Sequence, residues 1–312
     1  MKIILAKQVV NKTNIAQEAR SYTGPGKMLG VVLALGLALM LAQNVAVAGI
    51  STTKHNLGST GATGNNKFDG TTEICVFCHT PHGGNLSTTR PPPIWNRTFS
   101  ATTAYTTYDS LGTTSLDALA APTGSVSIAC LSCHDGTQAM NVMINTPGSG
   151  NAALIGNWTG AAATASPVGS LATVGKFTYI GVDLSNDHPI SIQYGGGGIN
   201  DATPTGATKD PYFAQAVSGN PTKRVGSTIG QVGSRVLPIN STRIWWVETD
   251  GFTGQSKADL PLYSRTEAIV AGGNQPFVEC ASCHDPHSNN TTFLRLPTGN
   301  NSSGVCLTCH VK

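Results

Sequence analysis

Four C-x-x-C-H motifs constrain this sequence more than any other feature, because together they use every one of its eight cysteines. In each motif two thiols are followed directly by an imidazole. This is the attachment pattern of haem c, in which the thiols add to the two vinyl groups and the histidine reaches the iron from the same side. The motifs therefore predict four covalently attached haem c groups. The predicted cofactor-binding residues are Cys75, Cys78, His79, Cys130, Cys133, His134, Cys280, Cys283, His284, Cys306, Cys309 and His310.

Two other uses of the cysteines fit parts of the pattern. In an exported chain eight cysteines can form four disulfides. The pairs 280/283 and 306/309, with 22 residues between them, also come close to the spacing of a zinc site. Neither alternative explains why a histidine follows all four pairs. Haem attachment is therefore the favoured interpretation.

The histidine count indicates which kind of haem site the chain could build. Eight histidines are present, and four of them follow the motif cysteines, so each iron has one further imidazole available. Beyond the N-terminal segment the only methionines are Met140 and Met143, which we expect to pack against haem rather than bind iron. The predicted iron ligands are His79, His134, His284, His310, His55, His82, His188 and His287.

Two of the additional histidines occupy matched positions, His82 in CHTPH and His287 in CHDPH. On a helical turn, residues three apart project the same way, with Cβ atoms about 5–6 Å apart. His82 therefore cannot reach the far face of the haem that His79 binds, and we expect it to ligate a different iron. The same reasoning applies to His287, so each motif would hold two haems close together.

The order of the motifs suggests an internal duplication of a two-haem unit. CVFCHTPHGG is followed by CLSCHDG, and CASCHDPHSN is followed by CLTCHVK. We predict a signal peptide over residues 1–48, a first dihaem unit over 49–150, a Gly/Ala/Thr-rich intervening segment with a distal histidine over 151–279, and a second dihaem unit over 280–312. Each unit has one histidine ahead of it, His55 or His188.

Regular secondary structure is sparse in the sequence. The stretches 176–182 (KFTYIGV) and 243–249 (RIWWVET) predict short strands, and 115–121 and 258–270 predict short helical turns. Stretches rich in Gly, Ala, Ser and Thr predict loops. Haem would then supply much of the core, and we expect the apoprotein not to fold. The tryptophans expected either on porphyrin edges or in an ordinary core are Trp95, Trp158, Trp245 and Trp246.

The N-terminal segment and the composition bear on location and partners. The apolar run 28–42 ahead of Ala46-x-Ala48 reads as a secretory signal, with translation starting at Met1 or Met28. The run of 15 residues is shorter than the ~20 of a spanning helix. Charged residues make up 11% of the chain, without the basic clusters that nucleic-acid binding requires.

Several stretches carry a resemblance to a known family. ICVFCHTPH, IWNRTFS, ACLSCHDGT, LSNDHPIS, WWVETDGFTG and VECASCHDPH resemble the exported tetrahaem c-type cytochromes with doubled C-x-x-C-H motifs of metal-reducing microbes. The chain is most similar to the OmcE-type, filament-forming subgroup. The resemblance implies a multihaem cytochrome c fold, mostly loops with short helices and a few short strands around four haems. It also implies self-association, with His55 as the residue that would ligate a neighbouring subunit's haem.

The function that follows from this resemblance is electron transfer outside the cytoplasmic membrane, without an enzymatic reaction. The expected partners are other cytochromes or extracellular acceptors such as metal oxides. Two alternatives stay open. The chain could be a soluble periplasmic shuttle with the same sites, or a multihaem reductase, which would need one iron without a sixth protein ligand.

Overall fold

The structure is a computed structural model that describes most of the chain after residue 48. The described residues are 49–85, 92, 94–99, 104–114, 116–148, 154–173, 176–218, 230–238, 241–251, 254–266 and 273–311. The predicted signal segment 1–48 lies outside them. Within the described ranges, no helix is both long enough and apolar enough to cross a membrane.

Among the described residues, the three α-helices all coincide with C-x-x-C-H motifs. They are α1 (Ser125–His134), α2 (Cys280–Cys283) and α3 (Gly304–Cys309). The first motif forms a single 3-10 turn instead, Cys75–Phe77. A helical turn brings residues three apart onto the same side, so it directs both thiols of a motif towards one cofactor. Further 3-10 turns span Gly49–Thr52, Tyr108–Leu111, Gly160–Thr164, Tyr194–Gly196, Thr291–Phe293 and Asn301–Ser303.

In the part of the chain that the structure describes, seven short strands form two antiparallel sheets. The strands are β1 (Lys67–Phe68), β2 (Trp158–Thr159), β3 (Ile192–Gln193), β4 (Val232–Val236), β5 (Arg243–Val247), β6 (Leu260–Arg265) and β7 (Gln275–Val278). β1 pairs with β2, and the other five form one sheet in the order β3-β7-β6-β5-β4. The last strand, β7, ends two residues before Cys280, so the larger sheet leads directly into the third motif.

Some of the secondary-structure elements predicted from the sequence are present in this architecture, and others are not. The strand predicted at 243–249 is confirmed as β5, whereas the helical turns predicted at 258–270 are wrong, because 260–265 is the strand β6. Leu260 and Leu262 alternate into the core in a strand period that the helical interpretation missed. The strand predicted at 176–182 is also wrong, since these residues form turns and irregular chain. Residues 116–121 contain no helix, and Ala120 instead bridges to β3.

Two hydrophobic clusters each gather cysteines from two motifs. The first cluster packs against Cys78 and Cys133 and contains Leu57, Phe68, Phe77, Met140, Trp158 and Ala162. The second packs against Cys283 and Cys309 and contains Tyr194, Ile199, Ala214, Ala216, Val232, Trp245, Val247, Leu260, Leu262 and Val305. One cluster therefore borders on the first and second motifs, and the other on the third and fourth.

The three segments predicted after the signal peptide are closely interleaved. β1 lies in the first segment and pairs with β2 in the intervening one, so that Phe68 is opposite Trp158. Within the intervening segment, β3 pairs with β7, the strand that leads into the third motif. Helices α1 and α2 also contact each other across the two predicted units. The boundaries at 150 and 279 remain predictions.

Candidate cofactor site

The cysteines of the four motifs are free thiols, and most of them are partly buried. Burial, together with the neighbouring sulfur of Cys133, raises the pKa of Cys78 to about 12. Burial likewise raises the pKa of Cys283 to about 11, with Cys306 adding to the effect. The pKa of Cys309 is also raised by burial. Burial therefore acts in the same direction on all three side chains.

The thiols of successive motifs lie next to one another in chain order. Cys78 and Cys133 pack against the same hydrophobic cluster, and Cys133 raises the pKa of Cys78, which links the first and second motifs. Cys130 and Cys280 share a hydrogen bond, which links the second and third. Cys306 acts on Cys283 and links the third and fourth. The four attachment positions therefore form one continuous series through the protein.

The two alternative uses of the cysteines find no support in this arrangement. All eight cysteines are unpaired. The four sulfur atoms of the third and fourth motifs do not gather into one ligand group. Among the described residues, the group of three or more metal-ligating side chains that does gather consists of Glu248, Asp250 and Asp259, whose ligand atoms lie within 4.8 Å of one another.

The backbone fixes each motif histidine against another part of the chain. His79 forms an isolated antiparallel bridge with Trp95, and His284 forms one with Leu294. His310 bridges to Phe213 in the same way, and their rings lie 4.4 Å apart. The carbonyl of His134 accepts from the amide of Ile180 at 2.9 Å. Each imidazole is thus held in place by contacts far from its own motif.

The ring nitrogens of several histidines are arranged as metal ligands require. Nδ1 of His134 lies 2.8 Å from the carbonyl oxygen of Thr178, and Nδ1 of His284 lies 2.9 Å from that of Thr292. A carbonyl accepts a hydrogen bond from Nδ1–H, which leaves Nε2 with its lone pair for a metal. Nδ1 of His79 is buried without a hydrogen-bond partner. These histidines therefore fit the role of ligands to haem iron.

The four additional histidines fall into two classes. The ring of His55 lies 6.3 Å from that of His134, and it stacks on Phe293 at 4.2 Å. The ring of His287 lies 6.1 Å from that of His79. His82 and His188 are exposed, and neither makes a described ring contact with a motif histidine. Two of the predicted distal ligands are thus already beside a proximal one.

The helical turn expected to carry both His79 and His82 does not exist. The 3-10 turn of the first motif ends at Phe77, and residues 81–83 form a bend. Pro81 explains the difference, because a proline disfavours helical geometry in the residue before it. The bend is nevertheless well fixed, since the carbonyl of His82 accepts hydrogen bonds from Thr80 Oγ1 at 2.8 Å and Asn145 Nδ2 at 2.9 Å.

Of the methionines and tryptophans expected to pack against haem, some contact the motifs and others lie in the ordinary hydrophobic core. Met140 is buried in the first cluster, and Met143 packs against the same cluster. Trp95 meets the ring of His79 edge-on at 5.7 Å. Trp158 lies in the first cluster, and Trp245 in the second within the larger sheet. Trp95 therefore contacts a motif histidine, and Trp158 contacts Phe77 of the same motif, with ring centroids 6.2 Å apart.

A buried polar network that the sequence did not reveal joins the second and third motifs. The carboxylate of Glu279 accepts hydrogen bonds from Ser127 in α1, from Ser191 at 3.1 Å and from Arg265 at 2.8 Å. Glu279 also caps α2, because it forms a capping box with Ser282. Burial raises its pKa, while Ser127 and Arg265 act in the opposite direction. No local motif marks a residue whose partners lie so far along the chain.

A second missed residue is Arg97, which is fully buried between the first and second motifs. Its guanidinium donates to the carbonyls of Met140 at 2.7 Å, Ser132 at 2.8 Å and Ala139 at 3.0 Å. Its Nε has no hydrogen-bond partner. Arg97 therefore places a positive charge in the interior beside Cys78, whose pKa it lowers against the effect of burial.

The carboxylate group formed by Glu248, Asp250 and Asp259 belongs to the loop between β5 and β6. The Oε1 atom of Glu248 accepts from the amides of Asp250 and Gly251, and Asp259 Oδ1 accepts from the amide of Thr249 at 2.8 Å. Burial raises the pKa of both Glu248 and Asp259. The backbone amides of the loop therefore donate hydrogen bonds to the loop's own carboxylates.

Comparison with known proteins identifies the C-terminal part of the chain. Residues 270–312 match the family model described as the doubled CXXCH motif. The match covers the third and fourth motifs and supports a c-type cytochrome-like protein with covalently bound haem. The search of curated proteins found no match. The site and the family match together support a haem-binding protein of electron-transfer type.

Proposed function

We propose that this protein is a tetrahaem c-type cytochrome that carries electrons outside the cytoplasmic membrane, and that its chains polymerise into a conductive filament. In this proposal the first and second motifs carry haems as well as the family-matched third and fourth. The signal peptide over residues 1–48 directs export. Other cytochromes, or extracellular acceptors such as metal oxides, take up the electrons.

The observation that carries the proposal is the continuous series of thiols. Cys78 neighbours Cys133, Cys130 hydrogen-bonds with Cys280, and Cys283 neighbours Cys306. Thioether attachment ties a haem to each pair of cysteines. Adjacent attachment positions thus bring adjacent haems together in the order of the motifs, which is the arrangement that electron hopping needs.

Haem c supplies reversible exchange of one electron at iron, and the side chains determine where it happens. Carbonyls of Thr178 and Thr292 orient the rings of His134 and His284. A second imidazole on each iron leaves no open position for a substrate, which favours electron transfer over a reductase. Two imidazoles also give lower reduction potentials than a His/Met pair.

Weak net charge supports self-association. Residues 1–48 contain five of the 19 basic and one of the 16 acidic residues, so 14 and 15 remain after signal cleavage. Each ferric haem would add about +1 at the iron and −2 at its propionates, so four haems take this charge to about −5, which is modest and lets chains repel one another only weakly. Several large apolar side chains are also strongly exposed, among them Ile155 at 91% and Phe177 at 80%.

The hypothesis that His55 ligates a neighbouring subunit's haem stays a prediction. Within one chain, the ring of His55 already lies beside those of His134 and Phe293. This position favours ligation inside its own chain. The exposed His82 and His188 are the better placed histidines for a contact between subunits.

Cryo-electron microscopy of the secreted, haem-loaded protein tests the proposal. We expect four haems per chain, in the order of the motifs, running through an ordered filament. Discrete monomers with four six-coordinate irons would replace the filament with a soluble shuttle. An iron without a sixth protein ligand would instead support a reductase, and fewer than four haems per chain would contradict the tetrahaem assignment.

A further inference from the structure

Two pairs of histidines from distant parts of the chain face each other at nearly the same separation. The ring centroids of His79 and His287 are 6.1 Å apart, and the planes differ by 14°. The centroids of His55 and His134 are 6.3 Å apart, with an interplanar angle of 79°. In each pair one member is a motif histidine and the other is not.

This separation matches two imidazoles bound to opposite sides of one metal ion. A metal–imidazole bond is about 2 Å long and the ring centre lies about 1 Å behind the ligating nitrogen, so two such ligands have centroids about 6 Å apart. Ordinary aromatic packing covers a range of about 4.5–7 Å, which includes the same value. The distance alone therefore does not distinguish the two arrangements.

The ring nitrogens distinguish them. Nδ1 of His287 lies 3.3 Å from Asp285 Oδ1, and a carboxylate on Nδ1 leaves Nε2 as a metal ligand. His134 has the equivalent arrangement with the Thr178 carbonyl. Nδ1 of His79 and Nδ1 of His55 are both buried without hydrogen-bond partners, although buried polar atoms are normally satisfied. Each pair thus combines one imidazole with an oxygen beside Nδ1 and one whose Nδ1 has no hydrogen-bond partner, although the His55 ring also has a backbone hydrogen bond with Pro286.

We propose that His287 is the sixth ligand of the haem attached at Cys75, Cys78 and His79, and that His55 is the sixth ligand of the haem attached at Cys130, Cys133 and His134. The assignment rests on the proposed function, because it presupposes haem at these motifs. It differs from a pairing in which each two-motif unit supplies its own ligands. The loop of the third motif supplies a ligand to the first.

Ligation of the first haem by His287 would join the two ends of the chain. His79 and His287 are separated by 207 intervening residues, so a bond through one iron closes a long loop. Closing long loops removes conformational entropy from the unfolded chain, which stabilises the folded one. The bond adds to the contact between α1 and α2 that already holds the two units together. His82 and His188 then remain for the third and fourth haems.

Single and double variants of the haem-loaded protein test this pairing. In His287→Ala and in His55→Ala we expect one of four haems to change from low spin to high spin, and in the double variant two. Electron paramagnetic resonance counts the spin states, and intact mass counts the haems. Asn289→Ala, an exposed change in the same loop as His287, is the control and should leave every iron low spin. Four low-spin haems in His287→Ala would overturn the proposal.

The location of the affected haem requires a second measurement. Cys75→Ala/Cys78→Ala removes the first attachment site, and adding His287→Ala to this background should create no new high-spin haem. A new high-spin haem there would overturn the assignment. If that background does not fold, density for the haem-loaded wild type decides whether His287 faces the iron of His79. Loss of haem from the wild type by mass would refute the proposed function instead of the pairing.

Discussion

Glu279 shows how one side chain can position two attachment helices. It precedes Cys280, caps α2, and accepts a hydrogen bond from Ser127 of α1. The amide of Cys280 in turn donates to Ser127 Oγ at 3.0 Å. Because Cys130 lies three residues after Ser127, this network also fixes the approach of the Cys130 and Cys280 thiols.

At this scale we predict that Glu279→Gln strongly destabilises the protein. The substitution keeps the shape of the side chain but removes the carboxylate charge that pairs at 2.8 Å with Arg265, which is 2% exposed. Breaking a buried ion pair on one side costs about 3–5 kcal/mol. Denaturant unfolding of the haem-loaded protein measures the loss.

The matched control for this prediction is Glu73→Gln, since Glu73 is exposed. Surface substitutions usually change stability by about 0.5 kcal/mol or less. Equal stability of the two variants would show that the Glu279 network does not contribute to the fold.

Among the secondary-structure elements, β5 contributes most directly to the second cluster. Trp245 is completely buried, pairs in register with Ser234 and Leu262, and lies under the guanidinium of Arg243 at 5.7 Å. The cysteines Cys283 and Cys309 pack against the same cluster. The sheet therefore forms one wall of the region where the third and fourth motifs meet.

We expect Trp245→Ala to cost about 3–5 kcal/mol, since a large aromatic side chain is removed from a packed core. Val236→Ala is the control in the adjacent strand, because Val236 lies at the end of β4 and is 44% exposed. Thermal unfolding followed by circular dichroism compares the two. A shift for Val236→Ala as large as that for Trp245→Ala would contradict the assigned role of the sheet core.

The loop between β5 and β6 allows a prediction of pH dependence. Burial raises the pKa of Glu248 above its ordinary value of 4.5, and its Oε2 has no hydrogen-bond partner. The stability that the raised pKa contributes is present below pH 4.5 and is lost as the pH rises through the folded-state pKa. A charged Glu248 is therefore unfavourable at neutral pH.

Glu248→Gln retains the acceptor that the amides of Asp250 and Gly251 use and removes the charge. We expect this variant to be at least as stable as the wild type at pH 7, with the difference disappearing below pH 4.5. Melting temperatures at a series of pH values test the expectation. A variant less stable at pH 7 than at pH 4, relative to the wild type, would contradict it.

Over the whole molecule, regular structure alone provides a limited framework. The helices are short, α2 and α3 spanning Cys280–Cys283 and Gly304–Cys309, and isolated helices of this length are not stable in water. Both hydrophobic clusters border on motif cysteines. The attached haems would therefore complete both cores.

We predict that the chain produced without haem attachment does not unfold cooperatively. Metal and cofactor binding is coupled to folding when the site is formed only in the folded state. Heat-induced unfolding of the haem-free chain, followed by near-ultraviolet circular dichroism, should lack the sharp transition of the haem-loaded protein. A cooperative transition in the haem-free chain would show that the protein core is sufficient by itself.

Local sequence allowed prediction of the features that depend on neighbouring residues. RIWWVET predicted β5, whereas the helical turns on which the motif cysteines lie were not among the predicted elements. The prediction for 258–270 failed because β6 forms a strand between β5 and β7, which are its tertiary neighbours. Pro81 ended the turn before His82, although this signal was present in the sequence.

The sequence by itself determined the chemistry of the sites, since C-x-x-C-H fixes two thiols and an imidazole within one turn. Only the tertiary structure decided which distant groups meet. It placed His287 beside His79 and His55 beside His134, and it buried Glu279 between α1 and α2. The physical reason is that such contacts join residues far apart in the chain, and their geometry follows from the packing of the whole fold rather than from local backbone preference.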